Sequence, residues 1–467
     1  MARQSLRLLP LLTAALLGLC ALGFVRTTLI VGRRAPLNYN EGWNAYHSAD
    51  VAAGRPLYPD PSGTFFNNYP PLSFLAVAPL VHVVHDPLVA GRALATASLL
   101  VWVVCLGIAV RRLGGSRLHA AFAAALLAVY MFVFSSFYVG VDDPQIFGHA
   151  LQALGLLVLL GRRRSTVSLA LAAVLLAAGV FVKNNLVALP IASVVWLWTT
   201  DRPSAWRLAA FGAAAGLVGA TASVAAFGPQ SAAQILAPRF WAPAKGMQLA
   251  WLWTRRMALP LAVAVWLSPR VTRDARVRFA LIYLAVAIAA GWTFAMGDGV
   301  YWNTMFDADA AIAVTAGVAL ECVGDSWARG AAVAGACLAA AALAVALSAT
   351  IHWLSPRFWF DPLWFDVQSA GREVEFLRTR PGPALCENLI YCYWAGKKDV
   401  GADFFNLGQY IRREPRRADA LVRRLEARDF SAAQIEGRDL GPRVRQALQQ
   451  NYRVDHESEW GTFWVPR

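Results

Sequence analysis

The residues able to do chemistry in this 467-residue chain fall into three acidic groups and a short set of cations. Glu41 stands near the head of a long aromatic and polar stretch, Asn38 to Leu80. Asp142-Asp143-Pro144-Gln145 forms the second group. Asp298, in MGDGVYWN, forms the third, with Asp307 and Asp309 close behind it. The cations that accompany them are Arg33, Arg34, Arg55, Arg92, Lys183 in FVKNN, Arg239, Lys245, Arg255 and Arg256. Carboxylates beside a scarce set of cations suit an anionic substrate. Burial raises a carboxylate pKa toward the range of a general base. Whether the groups meet depends on the elements that carry them.

Those elements are membrane helices. Hydrophobic residues make up 57% of the chain and charged residues 15%, against about 25% charged in a soluble protein. A spanning helix needs about 20 mostly apolar residues. Candidate spans lie at 8–32, 88–110, 118–137, 144–160, 166–182, 184–199, 205–227, 250–268, 277–296, 302–322 and 330–353. The first resembles a signal peptide, but its apolar character resumes after Arg26, so it is read as an uncleaved span. The net charge of +14 does not indicate nucleic acid, because the arginines cluster in the short gaps between apolar runs.

Charge also sets the orientation. With eleven spans, fifteen arginines, from Arg3 and Arg7 to Arg329, fall on one side, while the short loops 138–143 and 297–301 carry none. The positive-inside rule makes the arginine side cytoplasmic. The apolar run 72–84 then does not span; it lies on or dips into the outer leaflet within an exported first loop, 33–87. A tilted true span is the alternative. Under this topology Glu41, Asp142, Asp143 and Asp298 share the exported face, where acids at membrane depth are functional or paired.

From Ser355 the chain becomes polar and alternates short apolar runs with helical stretches. The expected architecture is therefore an α-helical polytopic membrane domain, 1–354, followed by a small extracytoplasmic α/β domain, 355–467. Cys20, Cys105, Cys322 and Cys337 lie in apolar runs. Cys386 and Cys392, six positions apart in the exported part, are either a disulfide or two buried thiols.

Each candidate also has a structural role open to it. Glu41 fits the first turn of a loop helix capped by Asn38 or Asn40. Asp142-Asp143-Pro144 reads as a helix N-terminus. Lys183 fits a snorkelling anchor, and Arg255 and Arg256 fit lipid headgroups. Trp43, Tyr58, Tyr69, Trp241, Trp251 and Trp253 suit an aromatic belt.

The motifs NEGWNAY, NNYPPLSFLAVAPL, GRALATASLL, DDPQ, FVKNN and GDGVYWNTMFDADAA, in this order, resemble the GT-C superfamily of multi-span glycosyltransferases. The likeness is to family-39-like members, relatives of the aminoarabinose transferases and protein O-mannosyltransferases. It covers most of residues 1–353.

That resemblance implies a polyprenyl-phosphate sugar donor, and a glycolipid, polysaccharide or protein acceptor at the outer face of a bacterial cytoplasmic membrane. It implies Glu41 as the catalytic base, where relatives often carry an Asp-Glu pair and this chain has Asn40-Glu41. Asp142 and Asp143 match a second acidic motif that in some members helps to hold a divalent cation, here Mg or Mn. Lys183, with Arg92, Arg255 and Arg256, would meet the donor phosphate, and a direct displacement would invert the anomeric centre. Trp43, Tyr46, Tyr58, Tyr69, Asp298, Tyr301 and Asn303 would contact sugar or acceptor. A lipid or sugar transporter without transferase chemistry is the alternative; it predicts internal repeats, which the sequence lacks.

Overall fold

The structure is a computed structural model that describes residues 8–324, 326–344, 359–360 and 364–467. The N-terminal arginines Arg3 and Arg7, the 354/355 boundary and the end of the span read at 330–353 lie outside the described residues.

The first half comprises α1 (Leu8–Val31), α2 (Tyr39–Ala52), α3 (Leu72–Val84), α4 (Pro87–Arg112), α5 (Arg117–Phe134), α6 (Pro144–Leu159), α7 (Thr166–Val182), α8 (Ala188–Thr200) and α9 (Arg202–Phe227). The chain continues through α10 (Pro229–Ile235), α11 (Pro243–Arg256), α12 (Ala258–Leu267), α13 (Ala275–Ala295), α14 (Phe306–Val323) and α15 (Trp327–Ala344). Helices α1, α4, α5, α9 and α13 are each long and apolar enough to cross a membrane; shorter apolar helices complete the bundle.

Helix starts follow local chemistry. Asp86 accepts from Leu88 N and Val89 N ahead of Pro87. Ser116, Ser165, Asp201 and Asp274 cap α5, α7, α9 and α13 in the same way. Each such cap satisfies backbone N–H groups that the first turn leaves without partners.

The expected span 250–268 needs correction. It is two helices, α11 and α12, parted at Met257. Pro260 explains the break: in a continuous helix it would remove a hydrogen bond and clash with the preceding turn, but in the first turn of α12 it costs little. The run 72–84 forms α3, whose 13 residues reach about 20 Å, short of a bilayer core of about 30 Å. It packs on α2 and α4.

After α16 (Phe365–Arg378) comes a small α/β unit. Its elements are β1 (Ala384–Cys386), α17 (Leu389–Trp394), α18 (Phe404–Arg413), α19 (Asp419–Glu426), β2 (Ala432–Ile435), α20 (Pro442–Asn451), β3 (Tyr452–Ser458) and β4 (Gly461–Pro466). The sheet order is β1-β2-β4-β3. β1 runs parallel to β2 with Ala384 opposite Ala432, while β2–β4 and β3–β4 are antiparallel. Cys386 and Cys392 form a disulfide that ties the end of β1 to α17.

The bundle has one large core, running through α4, α5, α6 and α14. A second core joins the first loop to the C-terminal unit: Trp43, Leu57, Tyr58 and Phe74 are buried with Leu377, Leu389, Ile390 and Tyr391. The C-terminal unit is thus docked through apolar side chains onto the stretch that carries Glu41.

Candidate active site

Asn38 caps α2, its Oδ1 accepting from Glu41 N at 3.2 Å. Glu41 sits three residues into the helix, where a glutamate reaches back over the N-terminus. Its Oε2 accepts from Leu37 N at 2.5 Å and from Arg92 Nη2 at 2.7 Å. Its Oε1 accepts from Arg92 Nε at 2.7 Å and from Asp142 N at 3.1 Å. Both side chains of this ion pair are 0% exposed. The other Arg92 donors go to the carbonyls of Ile30, Arg33 and Ala35. Arg92, expected at the donor phosphate, therefore has no N–H left for one; its guanidinium ties α1 and α4 to the first loop.

Asp143 caps α6 through Gln145 N at 2.8 Å, and Lys183 Nζ contacts its two oxygens at 3.0 and 3.2 Å. Lys183 ends α7 and lies 5.0 Å from the centre of the Tyr69 ring. Asp142 is different. Its carboxyl packs against Gly91, where a Cβ would come within 2.1 Å of its Cγ, so only glycine admits it. Its Oδ2 has no hydrogen-bond partner among the described residues. Burial first, then Glu41 and Asp143, push its pKa well above the usual carboxylate range.

Asp142 lines a small cavity of about 10 Å³ with Asn44 and Ser73, whose Oδ1 and Oγ also lack partners among the described residues. That is room for about one water. Mg²⁺ demands near-octahedral geometry and keeps several waters. Asp143 is engaged by Lys183, and among the described residues no group of three His, Cys, Asp or Glu could hold a metal ion. The residues do not fit a divalent cation at Asp142 and Asp143.

The remaining candidates divide. Tyr138 is buried within electrostatic reach of Asp143, Tyr69 and Tyr301. Tyr301 is exposed, and Asn303 is buried one residue beyond Trp302. Arg256 stacks over Phe134 and Trp302 at 4.5 and 4.9 Å, whereas Arg255 is exposed. Arg239 faces Lys183 electrostatically.

Four of the expected contacts are occupied by protein. Trp43 donates to Asp403 at 2.9 Å, and Tyr58 donates to Tyr69 O at 2.7 Å. Tyr46 stacks on Phe65 with centroids 5.8 Å apart. Asp298 accepts from Gln409 and Arg412 of α18 at 2.8 and 2.6 Å. Asp307 and Asp309 accept from Tyr283 and Trp253 inside the bundle.

Sequence reasoning gave no role to Asp403, which also takes hydrogen bonds from Tyr39, Phe405 N and Asn406. Nor did it give one to Arg438, 4.0 Å from the Tyr39 ring. The signal at Asp403, a helix cap after Gly401-Ala402, was readable; its partner 360 positions away was not.

The protein matches no family model and no curated protein. Its likeness is to solved structures. ArnT from Cupriavidus metallidurans bound to undecaprenyl phosphate superposes with a TM-score of 0.64 at 12% identity, over 97% of each chain. The same protein in its apo state gives 0.62 at 14%, over 95% of this chain and 96% of that one. The fold is GT-C. The archaeal oligosaccharyltransferase AglB from Archaeoglobus fulgidus, in complex with an inhibitory peptide and a dolichol-phosphate, gives 0.50 at 10%, over 97% of this chain and 74% of that one. With this fold the chain is a multi-pass membrane protein with a small C-terminal α/β unit.

Proposed function

We propose that this protein transfers a sugar from a polyprenyl-phosphate donor to an acceptor hydroxyl at the outer face of a bacterial cytoplasmic membrane. One observation carries the reading beyond fold. An apolar crevice of about 410 Å³ between α7, α8 and α9 runs up to Val180 and Phe181, and two residues later comes the buried cation Lys183. An apolar crevice with a desolvated ammonium two residues beyond its last α7 contact suits an amphiphile with a long apolar chain and a phosphate head. The Cys386–Cys392 disulfide supports an oxidising, extracytoplasmic setting for the C-terminal unit, on the side opposite the arginine clusters.

In the proposed reaction the acceptor oxygen bonds to the anomeric carbon as the bond from that carbon to the phosphate oxygen breaks. The acceptor proton passes to a carboxylate, and polyprenyl phosphate leaves. One displacement inverts the centre. Lys183, held by Asp143, offsets charge growing on the leaving phosphate, with Arg239, which lies within electrostatic reach of it, to assist. Tyr69, which lies beside Lys183, is with Tyr301 and Asn303 a proposed sugar or acceptor contact.

Glu41 is the carboxylate proposed to take the proton, and it does so only if the acceptor displaces one of its four donors; hydrogen bonds in an empty site do rearrange on binding. Asp142 is the second reading, favoured by an Oδ2 that has no hydrogen-bond partner among the described residues.

The test is release of polyprenyl phosphate from a panel of polyprenyl-phosphate sugars by the purified protein in detergent, with and without EDTA. Wild type is expected to release it with EDTA present, and Lys183→Gln to lose about 100-fold or more. Loss in Glu41→Gln with retention in Asp142→Asn assigns the base to Glu41, and the reverse pattern assigns it to Asp142. Release unaffected by all three substitutions would remove this site from the chemistry.

A further inference from the structure

The opposite end of the bundle holds a second site. Helix α4 has 26 residues and spans about 39 Å, so its C-terminus at Arg112 is a full membrane away from Arg92 and Glu41. There the turns after α4 and α6 and the start of α13 enclose a cleft of about 680 Å³. Arg112, Arg162, Arg164 and Arg276 line it, together with Trp196; no carboxylate is among the described residues that do so.

Solvated arginines at a membrane face need no explanation beyond the positive-inside rule. Three features set this cleft apart. First, its charge is only half compensated: Asp201 lies 3.5 Å from Arg164 and Asp274 lies 2.7 Å from Arg276. No ion pair among the described residues engages Arg112 or Arg162. Second, Arg164 is oriented over Trp196 at 5.0 Å, with its Nε buried and lacking a hydrogen-bond partner among the described residues. A buried guanidinium N–H without an acceptor costs free energy that an anion would recover. Third, Gly114, at φ +91°, brings the turn after α4 against Arg276; a Cβ there would lie 2.9 Å from Nη1. The volume is in the range of small-ligand sites, and planar guanidinium groups match phosphate oxygens pairwise.

We propose that this cleft binds a phosphate-bearing anion. The chemistry is shared by an anionic phospholipid headgroup and a free phosphate, and the two sources are separable. The site does not depend on the transferase reading, and its test does not use activity.

The test is thermal unfolding of the full chain in neutral detergent, titrated separately with phosphatidylglycerol, phosphatidylcholine and inorganic phosphate. Phosphatidylglycerol is expected to raise the Tm and phosphatidylcholine to leave it unchanged. Each arginine removed weakens the apparent affinity about fivefold, so the double variant Arg112→Gln, Arg162→Gln is expected to need about 25-fold more ligand. The charge-keeping pair Arg112→Lys, Arg162→Lys retains most of the response, and it serves as the folded reference where the glutamine pair does not fold. Arg202→Gln with Arg207→Gln, on the same face but outside the cleft, is expected to respond as wild type does. A shift with inorganic phosphate as well as lipid assigns a soluble source; a shift with lipid alone assigns a headgroup. Absence of any shift, or an equal loss in the Arg202/Arg207 variant, overturns the proposal.

Discussion

Glu41 and Arg92 form a fully buried, two-point ion pair, with Nε to Oε1 and Nη2 to Oε2 both at 2.7 Å. Every N–H of Arg92 is matched to an oxygen of Glu41 or to a carbonyl of Ile30, Arg33 or Ala35. The pair therefore joins three segments: the end of α1, the first turn of α2 and the first third of α4. Removing one partner of such a pair strands a buried charge, which costs about 3–5 kcal/mol. Arg92→Met is expected to lower thermal stability by that order. The double variant Glu41→Leu, Arg92→Met is expected to be more stable than Arg92→Met alone. A double variant less stable than the single one would show that the two residues do not act as one unit.

Asp142 makes stability depend on pH. Its folded pKa is raised well above the ordinary 3.8 by burial, then by Glu41 and Asp143. The folded chain thus holds a proton that the unfolded chain releases, and stability falls as pH rises from about 4 toward the folded pKa. Asp142→Asn removes that dependence. Relative to wild type the variant is expected to gain stability as pH rises, read as the difference in Tm between the two proteins from pH 4 to pH 8. Parallel curves would contradict the assignment.

Lys183 and Asp143 are expected to behave as one unit. Lys183→Gln leaves Asp143 buried without its cation, and Asp143→Asn leaves Lys183 buried without its anion. Each single change is expected to cost about 3 kcal/mol or more, and the double change less than the sum. In a transfer assay the loss for the double variant is expected to match that of Lys183→Gln alone, because Asp143 acts through the lysine.

Asp403 fastens the C-terminal unit to the first loop. It is fully buried, accepts from Trp43 Nε1 at 2.9 Å and Tyr39 Oη at 3.3 Å, and caps α18. Asp403→Ala leaves the indole N–H without an acceptor and removes the cap, together about 2–4 kcal/mol. Limited proteolysis within residues 53–71 is expected to speed up in this variant, since that stretch packs beneath the unit through Thr64 and Phe66. Unchanged cleavage would dissociate Asp403 from docking.

Thiol counting checks the disulfide. Denatured, unreduced protein is expected to alkylate at Cys20, Cys105, Cys322 and Cys337 only, and Cys386 and Cys392 to react after reduction. Replacing both with serine is expected to cost about 2 kcal/mol, because the closed loop is short.

Several features were legible from local pattern. Asp86-Pro87 and Asp143-Pro144 announce the starts of α4 and α6, because a side-chain acceptor followed by proline is favourable only at an N-terminus. The run 72–84 was set apart from the spans by the distribution of arginines and not by length, since α8 is equally short and also contains a proline. At 250–268 hydropathy failed: it averages over a window and does not register that Pro260 forces a new first turn. The roles given to Arg92, Trp43 and Tyr58 rested on their being available to a ligand. Each instead has a protein partner, at Glu41, Asp403 and Tyr69 O. Partner choice is a property of three-dimensional packing that residue type does not reveal.

By itself the sequence determined the helical membrane class, the gathering of Glu41, Asp142, Asp143 and Lys183 toward one end of the bundle, and the α/β character of the tail. Those follow from hydropathy, caps and charge asymmetry, all of which act within about twenty residues. Tertiary structure alone decided that Arg92 belongs to Glu41, that Lys183 belongs to Asp143, and that Asp142 is left over with a free oxygen. It also decided that Cys386 bonds Cys392 and that the tail closes over the first loop. A buried carboxylate takes the cation that packing delivers, and that cation stands 51 positions along the chain for Glu41 and 40 for Asp143, beyond the reach of any local pattern.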